Sequence, residues 1–368
     1  MITTATAALL EAPGKPLSLE QVELPVLVGD EILVKMKSAS ICHTDVLVAD
    51  GVIPYPLPMV PGHEGAGIVE EVGPGERTLS VGDTVVLSFD SCRQCVQCTT
   101  GHPAYCELFG ALNYTGTRLD GSVTLSRKNA PVHGSWFGQS SLATHAIASS
   151  RNAVKVPGGL PWEILAPLGC GLLTGAGTVC HTLCPAAGQS MVVFGLGAVG
   201  LSAVMAASDI GCTPLIGVDP HPQRRALAEE LGCTHVIDPY GTEDLGWSIA
   251  EILGPGADFT VDTVGSGTVV RQALEALRTP GRCATLGVQA MENDITIDQG
   301  HLLLGRSLHG VIEGDADPHT FIPRLLDRYQ DGRFPLERLV RTYPFPRINE
   351  ALDAARAGTA VKAVLLFD

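Results

Sequence analysis

Four cysteines lie within fifteen residues in the segment SCRQCVQCTTGHPAYC. They are spaced C-x2-C-x2-C-x7-C, and the set consists of Cys92, Cys95, Cys98 and Cys106. Thiols so close together could form disulfides, a redox pair or a metal site. Four thiolates at this spacing can close a tetrahedron around Zn²⁺ and leave no position for a substrate. We therefore expect a structural zinc ion in a lobe at about residues 91–107, with an iron–sulfur cluster as the alternative.

A second group of potential metal ligands is spread over three motifs. ICHTD contains Cys42, PGHEG contains His63 and Glu64, and LGCGLLTG contains Cys170. Each residue alone has an ordinary explanation, because a lone cysteine usually behaves as a small buried side chain. Together, two thiolates and one imidazole make a catalytic zinc shell with an open fourth position. The sequence therefore predicts two zinc ions per chain, one structural and one catalytic.

The run GLGAVG indicates a dinucleotide site. It follows the apolar run SMVVF and precedes a helical pattern, which is the context that the motif G-x-G-x-x-G requires. Gly195 permits the tight turn, Gly197 lets the backbone approach a pyrophosphate, and Gly200 lets helix and strand pack closely. The helix N-terminus then offers free N–H groups and a positive dipole end to the phosphates.

An acidic residue at the end of the next apolar run indicates which dinucleotide binds. Asp219 ends PLIGVD, nineteen residues after Gly200. A carboxylate there can accept hydrogen bonds from the ribose hydroxyls of NAD and would repel the 2′-phosphate of NADP. Arg224 and Arg225 follow closely, and Arg224 could flank the adenosine, which keeps some use of NADP open. The expected cofactor is NAD.

The rest of the chain contains the elements that must position these residues. The first 170 residues carry short β-like runs such as EILVKM and DTVVLSF, separated by Gly and Pro, which indicates a barrel-like β region. From Ser190 onward, six short apolar runs alternate with helical patterns such as QRRALAEELG. Such alternation predicts an α/β fold with a doubly wound, parallel, six-stranded Rossmann sheet. After about Ile312 the chain returns to mixed structure and a strand-like run, AVKAVLLFD.

Composition and charge limit the classes of partner. The 368 residues suit two domains, and 45% of them are hydrophobic. The net charge of −15 argues against nucleic acid, whose phosphates need a basic surface. No apolar run reaches the roughly 18 residues of a membrane span, and the N-terminal stretch lacks the features of a signal peptide. We therefore expect a cytoplasmic protein without a membrane partner, in which clustered cysteines more often bind metal than form disulfides.

Taken together, the motifs resemble those of the zinc-dependent medium-chain alcohol dehydrogenases. GHEGAGIVEEVG, the four-cysteine lobe, LGCG and GLGAVG are similar to that family's motifs, and the resemblance covers essentially the whole chain. CHTD, GHPAYC, APLGCG and FIPRLLDRYQDGRFPLERLV look most like the bacterial aryl (benzyl) alcohol dehydrogenases. The resemblance implies a GroES-like β-rich catalytic domain at 1–171 and 313–368, and a Rossmann NAD-binding domain at 172–312.

The resemblance also implies roles at the catalytic zinc. The ligands would be Cys42, His63 and Cys170, with Glu64 as a neighbour that ligates transiently while water and substrate exchange. Asp45 would orient His63 by a hydrogen bond. Thr44 would contact the alcohol and begin the proton relay. Some alcohol dehydrogenases end this relay at a histidine five residues after the first zinc cysteine, where this sequence has Leu47.

Further positions would contact the cofactor if the resemblance holds. His43 would lie near the pyrophosphate, and Lys362 would reach the phosphates. Thr174 and Val199 would support the nicotinamide, and Val288 would lie along the same face. Four residues could form walls of the substrate pocket, although ordinary packing is the more common explanation for such side chains: Phe89, Leu112, Trp136 and Phe137.

The implied activity is the reversible oxidation of a primary alcohol, aryl or allylic, to its aldehyde by hydride transfer to NAD. One alternative is a glutathione-linked formaldehyde dehydrogenase or another aliphatic alcohol dehydrogenase of the same family. Another is a non-catalytic protein that binds NAD and zinc. The partners would be a small alcohol or aldehyde and further copies of the chain, in a homotetramer or homodimer.

Overall fold

The computed structural model describes residues 3–368, which form two compact units. The first unit contains the chain up to Cys170 together with residues 317–326 and 336–368. The second unit contains residues 171–316 and 327–335. Residues 327–335, which the sequence-based boundaries give to the catalytic domain, pack with the second unit because Arg328 and Arg333 form ion pairs with Asp209.

The first unit is built mainly of antiparallel strands. Its first nine strands are β1 (Thr3–Leu9), β2 (Ser18–Leu24), β3 (Glu31–Ile41), β4 (Gly65–Val72), β5 (Thr84–Leu87), β6 (Leu125–Arg127), β7 (Ala130–Val132), β8 (His145–Ser149) and β9 (Ala153–Lys155). Its short helices are α1 (His43–Ala49), α2 (Val96–Thr99), α3 (Phe109–Asn113) and α4 (Trp162–Leu165). Strands β1, β2, β6 and β7 form one sheet, and β3, β4, β5, β8 and β9 belong to another.

The second unit has a six-stranded parallel sheet, with one helix before its first strand and further helices between its strands. The strands are β10 (Met191–Phe194), β11 (Leu215–Val218), β12 (His235–Ile237), β13 (Ala257–Asp262), β14 (Leu277–Thr285) and β15 (Ser307–Gly310). The helices are α5 (Gly171–Gly177), α6 (Ala198–Ile210), α7 (Pro222–Glu230), α8 (Leu245–Leu253), α9 (Gly267–Glu275) and α10 (Gln299–Leu303). The strand order β12-β11-β10-β13-β14-β15 is that of the doubly wound dinucleotide-binding fold, which confirms the predicted fold class.

Two α-helices and two strands follow β15, and both strands belong to the large sheet of the first unit. They are α11 (Pro318–Gln330), whose last four residues group with the second unit, followed by β16 (Val340–Pro344), α12 (Ile348–Arg356) and β17 (Lys362–Leu366). Strand β17 pairs antiparallel with β3, with Ala363 opposite Ile41. Strand β4 also pairs with β3, with Gly65 opposite Ala39. The end of β3, the start of β4 and the start of β17 therefore meet at one edge of the sheet.

Among the described residues, no single helix is both long and apolar enough to cross a membrane. One bent pair of helical segments, residues 162–169 and 171–183, reaches the required length and composition together.

Candidate active site and metal centres

The meeting point of β3, β4 and β17 brings together the scattered ligands predicted from the sequence. Cys42 directly follows β3, His63 and Glu64 directly precede β4, and Cys170 follows a 3₁₀ turn at 166–169. One potential ligand atom from each of the four side chains lies within 4.8 Å of the others. All four side chains are buried, and those of His63 and Glu64 are completely inaccessible.

The chemistry of this cluster fits a zinc ion. His63 Nδ1 lies 2.9 Å from Asp45 Oδ1, and since a carboxylate accepts hydrogen bonds, Nδ1 carries the proton. The other ring nitrogen, Nε2, is buried without a hydrogen-bond partner, so its lone pair is available to a metal. A hydrogen bond from Cys170, helped by the charge of Lys362, lowers the pKa of Cys42 well below its ordinary value despite burial. A thiolate and a neutral imidazole are ligands that zinc prefers.

Asp45 holds two of the ligands in place. Its Oδ1 accepts from His63 Nδ1 and, at 3.1 Å, from the backbone N–H of Gly62. Its Oδ2 accepts from the backbone N–H of Cys42 at 3.1 Å, which also caps α1. The orienting role predicted for Asp45 therefore has a geometric basis, because one carboxylate fixes the imidazole and the backbone of the neighbouring ligand.

Glu64 has a buried counter-ion that the sequence reasoning did not identify. Lys362 Nζ lies 2.7 Å from Glu64 Oε1, and Ser40 donates a hydrogen bond to the other carboxylate oxygen. Burial alone would lower the pKa of Lys362, but the charges of Glu64 and Cys42 raise it well above the ordinary value, so the lysine stays charged. The phosphate contact of Lys362 stays a prediction. In the sequence, the lysine within the apolar run AVKAVLLFD was the feature that could have indicated a buried ion pair.

Helix α1 presents the residues predicted to act beside the ligands. Thr44 is half-buried, and its Oγ1 lies 3.9 Å from Cys42 Sγ. His43 is exposed, and its contact with a pyrophosphate stays a prediction. Leu47 is buried, and the side chain at this position is apolar and offers no proton acceptor.

The four-cysteine segment forms a second cluster of ligand atoms, again within 4.8 Å of one another. Three sulfur–sulfur distances are 3.5 Å for Cys95–Cys98, 3.9 Å for Cys92–Cys98 and 4.0 Å for Cys95–Cys106. Zinc–sulfur bonds of about 2.3 Å in a tetrahedron place sulfur atoms about 3.8 Å apart, whereas a disulfide brings them to about 2.0 Å. The cysteines are free thiols, and the arrangement fits a zinc ion.

Backbone N–H groups support the sulfurs of this lobe. Cys92 N donates to Cys106 Sγ at 3.2 Å, and Cys95 N donates to Cys92 Sγ at 3.3 Å. Backbone hydrogen bonds from Cys98 and Glu107 lower the pKa of Cys95 to about 6, whereas burial raises that of Cys98 to about 12. Metal binding at this lobe must therefore release protons.

The five other cysteines lie outside both clusters, which fits ordinary core or surface thiols. Burial raises the pKa of Cys212 to about 11 and that of Cys233 and Cys283 to about 12, which disfavours the thiolate. The five are Cys180, Cys184, Cys212, Cys233 and Cys283.

The glycine-rich turn of the second unit has the geometry expected for a dinucleotide site. Gly195 adopts a φ of +86°, and a Cβ there would lie 2.5 Å from Thr263 Oγ1. A Cβ on Gly200 would lie 1.8 Å from the carbonyl oxygen of Gly195, so helix and turn need glycine at this contact. A Cβ on Gly197 would meet no atom within 4 Å, which leaves open space beside the start of α6.

Asp219 ends β11 beside this turn. Its Oδ2 accepts from the backbone N–H of Leu196 at 2.8 Å, and its Oδ1 accepts from the backbone N–H of His221 at 2.8 Å. The carboxylate is therefore fixed against the glycine-rich turn. Arg224 Nη1 lies 3.6 Å from Asp219 Oδ2, and a contact of its guanidinium group with the adenosine stays a prediction.

Of the three residues predicted to contact the nicotinamide, Thr174 lies in a segment that packs against α6 at Val199. Gly175, next to Thr174, lies so close to α6 that a Cβ would approach the carbonyl oxygen of Val199 to 2.0 Å. Thr174 Oγ1 lies 3.5 Å from Glu313 Oε2. Val288 is 48% exposed and follows β14. Contact of these residues with a nicotinamide stays a prediction.

The four possible pocket walls are almost fully buried in the first unit. The most exposed of them, Leu112, shows 9% of its surface, and Trp136 shows none. The ring of Phe137 stacks on the imidazole of His63, with centroids 4.4 Å apart. Phe137 therefore packs directly on His63, a proposed metal ligand.

The sequence is similar to known proteins along its whole length. Residues 29–158 match the family described as "Alcohol dehydrogenase GroES-like domain", and residues 198–331 match "Zinc-binding dehydrogenase". The geraniol dehydrogenase of Castellaniella defragrans is 44% identical over 99% of this chain and 98% of that protein. The S-(hydroxymethyl)glutathione dehydrogenase of Paracoccus denitrificans is 32% identical over 99% of this chain and 100% of that protein.

Two solved structures have the same fold over their full length. An alcohol dehydrogenase zinc-binding domain protein from Burkholderia ambifaria superposes with a TM-score of 0.97 and 43% identity. The benzyl alcohol dehydrogenase of Acinetobacter calcoaceticus superposes with a TM-score of 0.95 and 40% identity. In both cases the match covers 100% of each chain.

Proposed function

The chain belongs to the zinc-dependent medium-chain alcohol dehydrogenase family, and on that premise we propose that it oxidises a primary aryl or allylic alcohol to the aldehyde with NAD⁺. The observation that carries the proposal is the buried cluster of Cys42, His63 and Cys170, in which the Nε2 lone pair of His63 has no other use. A non-catalytic protein would have no reason to keep this set of ligands together.

Two bound groups would supply the central chemistry. A zinc ion held by Cys42, His63 and Cys170 provides Lewis acidity that lowers the pKa of an alcohol hydroxyl. NAD⁺, held at the glycine-rich turn, provides the hydride acceptor. The structure of the protein then has to position both groups, remove one proton and keep the buried charges balanced.

The chain's own residues perform those tasks in our proposal. Asp45 keeps the Nδ1 proton on His63, so that Nε2 remains a ligand. Thr44 receives the alcohol proton at Oγ1 and passes its own proton onward to solvent or a ribose hydroxyl, because Leu47 offers no base. Lys362 balances the charge of Glu64 inside the cluster.

The cofactor preference follows from the second unit. The N–H groups at the start of α6 and the open space at Gly197 suit a pyrophosphate. Asp219 is held at the adenosine end by the N–H groups of Leu196 and His221, where its negative charge would oppose a 2′-phosphate. These features favour NAD over NADP.

The preference for aryl or allylic alcohols is supported by two similar proteins. One is named a geraniol dehydrogenase and the other a benzyl alcohol dehydrogenase. Geraniol and benzyl alcohol share one chemical feature, a hydroxymethyl group bonded to an unsaturated carbon. An aldehyde formed there is conjugated, which lowers the free energy of the product.

A glutathione-linked formaldehyde oxidation is the second candidate, because the S-(hydroxymethyl)glutathione dehydrogenase of Paracoccus denitrificans is 32% identical. The test measures zinc content and NADH formation with benzyl alcohol, geraniol, ethanol and S-(hydroxymethyl)glutathione. We expect about two zinc ions per chain and the highest kcat/KM with benzyl alcohol or geraniol, on NAD⁺ rather than NADP⁺. A preference for the glutathione adduct would replace the proposed substrate class. Light scattering of the same sample would test the predicted homotetramer or homodimer.

A further inference from the structure

A short segment of the first unit, residues 135–142, folds over the chain that carries His63, and we call it the strap. Its backbone N–H at Ser141 donates to the carbonyl oxygen of Gly62 at 2.9 Å. The side chain of Gln139 donates to the carbonyl oxygen of His63 at 2.8 Å. The strap therefore holds the backbone on both sides of the proposed ligand.

Trp136 extends this contact to the side chain of the ligand. The indole ring is completely buried, and its Nε1–H donates to Asp45 Oδ1 at 3.0 Å. The same oxygen atom accepts from His63 Nδ1. An indole nitrogen can only donate a hydrogen bond, so it keeps this oxygen in place as an acceptor.

Phe137 fixes the ring of His63 from its face. The two rings are stacked with an interplanar angle of 23°. To reach this position Phe137 adopts a φ of +50°, and the strap residues Ser135 and Ser140 also have positive φ values. A positive φ is costly for residues other than glycine, and it persists only where the surrounding structure fixes the backbone. The strap is therefore held in an unfavourable backbone conformation that presents two aromatic rings to one imidazole.

We propose that the strap is a positioning element for the metal ligand His63, with Trp136 acting through Asp45 and Phe137 acting on the ring face. The inference rests on the proposed catalytic zinc. Hydrogen-bond partners of ligand histidines fix ring orientation and basicity, and their loss costs about 10–100-fold in metal affinity. Trp136, Asp45 and His63 form such a chain, in which removal of the indole N–H should loosen the metal without changing a ligand.

The test compares zinc release from the two sites of one molecule, with the four-cysteine site as the internal control. Trp136→Phe keeps an aromatic ring and removes the N–H. Zinc release to a chromogenic chelator should then be about 10-fold faster from the His63 site and unchanged from the four-cysteine site. Cys98→Ser assigns the two kinetic phases. The visible spectrum of a Co²⁺-substituted protein should shift as well, because it reports ligand geometry independently of turnover.

A double-mutant cycle shows whether Trp136 acts through Asp45. Asp45→Asn alone should accelerate zinc release by about 10–100-fold. If the indole acts through that carboxylate, Trp136→Phe should add little in the Asp45→Asn background. A role in packing alone would instead accelerate release equally in both backgrounds.

Tyr55→Phe is the matched control. The Tyr55 ring meets Trp136 edge-on at 4.8 Å, and its hydroxyl donates to the carbonyl oxygen of Gly134 at 3.1 Å. This substitution therefore removes one hydrogen bond from the same aromatic group without touching Asp45. We expect zinc release at the wild-type rate.

Several results would overturn the inference. They are unchanged release in Trp136→Phe, equal acceleration at both zinc sites, additivity with Asp45→Asn, or an equal effect of Tyr55→Phe. A wild-type protein that retains only one zinc ion would contradict the proposed function itself, and the inference would fall with it. The wild-type zinc content thus separates the two failures.

Discussion

The two ligand clusters of the first unit are built in opposite ways. The lobe from Cys92 to Cys106 draws all its ligands from fifteen residues, is only partly buried, and satisfies its sulfurs with its own backbone N–H groups. The other cluster draws its ligands from positions as distant as Cys42 and Cys170, is buried, and is surrounded by charged side chains.

The difference shows how each site obtains its geometry. A local site can close around its ion, because short spacing and nearby N–H groups do most of the positioning. A buried site with an open ligand position depends on the whole fold, because each buried charge needs a partner. Asp45 serves His63, and Lys362 serves Glu64. The lobe contains no such charged pair in its ligand set.

The largest expected effect is the loss of one ligand from the buried cluster. Cys170→Ala should lower kcat/KM by at least about 10³-fold, because Lewis-acid stabilisation is worth several kcal/mol and about 1.4 kcal/mol is tenfold. Zinc content should fall from about two to about one per chain. Cys283→Ala, at a fully buried cysteine of the parallel sheet, is the control and should keep both ions. Full activity of Cys170→Ala would remove the distinction between the two clusters.

The next effect concerns the proton. Thr44→Val should reduce kcat by about 10²-fold, within the range for a lost proton-transfer group. The zinc content should stay at about two, since Thr44 is not a ligand. Thr44→Ser keeps the hydroxyl and should retain most of the rate in a steady-state assay. If valine and serine behaved alike, proton transfer would have to start elsewhere.

Removing the buried counter-ion should mainly change stability. Lys362→Met leaves Glu64 charged and unpaired, and breaking a buried pair in this way costs about 3–5 kcal/mol. The double variant that combines Lys362→Met with Glu64→Gln has no unpaired charge. Its free energy of unfolding, measured with denaturant, should therefore regain most of the loss. If Lys362→Met lowered the free energy of unfolding by less than about 1 kcal/mol, the Lys362–Glu64 pair would contribute no more than an exposed ion pair.

The smallest effect on turnover should come from the lobe. Cys98→Ser should release the lobe zinc but lower kcat/KM by less than about 10-fold, because a closed four-thiolate site offers no position for substrate. Local proteolysis within residues 91–107 should increase. A loss of turnover as large as that of Cys170→Ala would show that the lobe takes part in catalysis.

The features that the sequence predicted well are local in the chain. The four cysteines and the turn from Gly195 to Gly200 depend on spacing within a few residues, and the six alternating apolar runs determine the parallel sheet. The grouping of Cys42, His63 and Cys170 came from motifs considered together. No spacing rule connects these three positions.

The features that the sequence did not predict depend on strand pairing and on unusual backbone conformations. Lys362 reaches Glu64 because β17 pairs antiparallel with β3 in one particular register. Trp136 reaches Asp45 through a strap with positive φ at Phe137, a conformation that no local pattern of residue types indicates. Both contacts join residues that are about ninety or more positions apart.

The pairing of β17 with β3 also has a consequence for biosynthesis. All ligands of the lobe have been made once Cys106 is added, whereas Lys362 follows 256 residues later. At about 5–20 residues per second, translation needs roughly 10–50 s to cover that interval. We therefore expect the lobe to take up zinc on the ribosome, and the buried cluster to be completed only after β17 has been made. Zinc bound to nascent chains stalled within the second unit should be about one ion per chain.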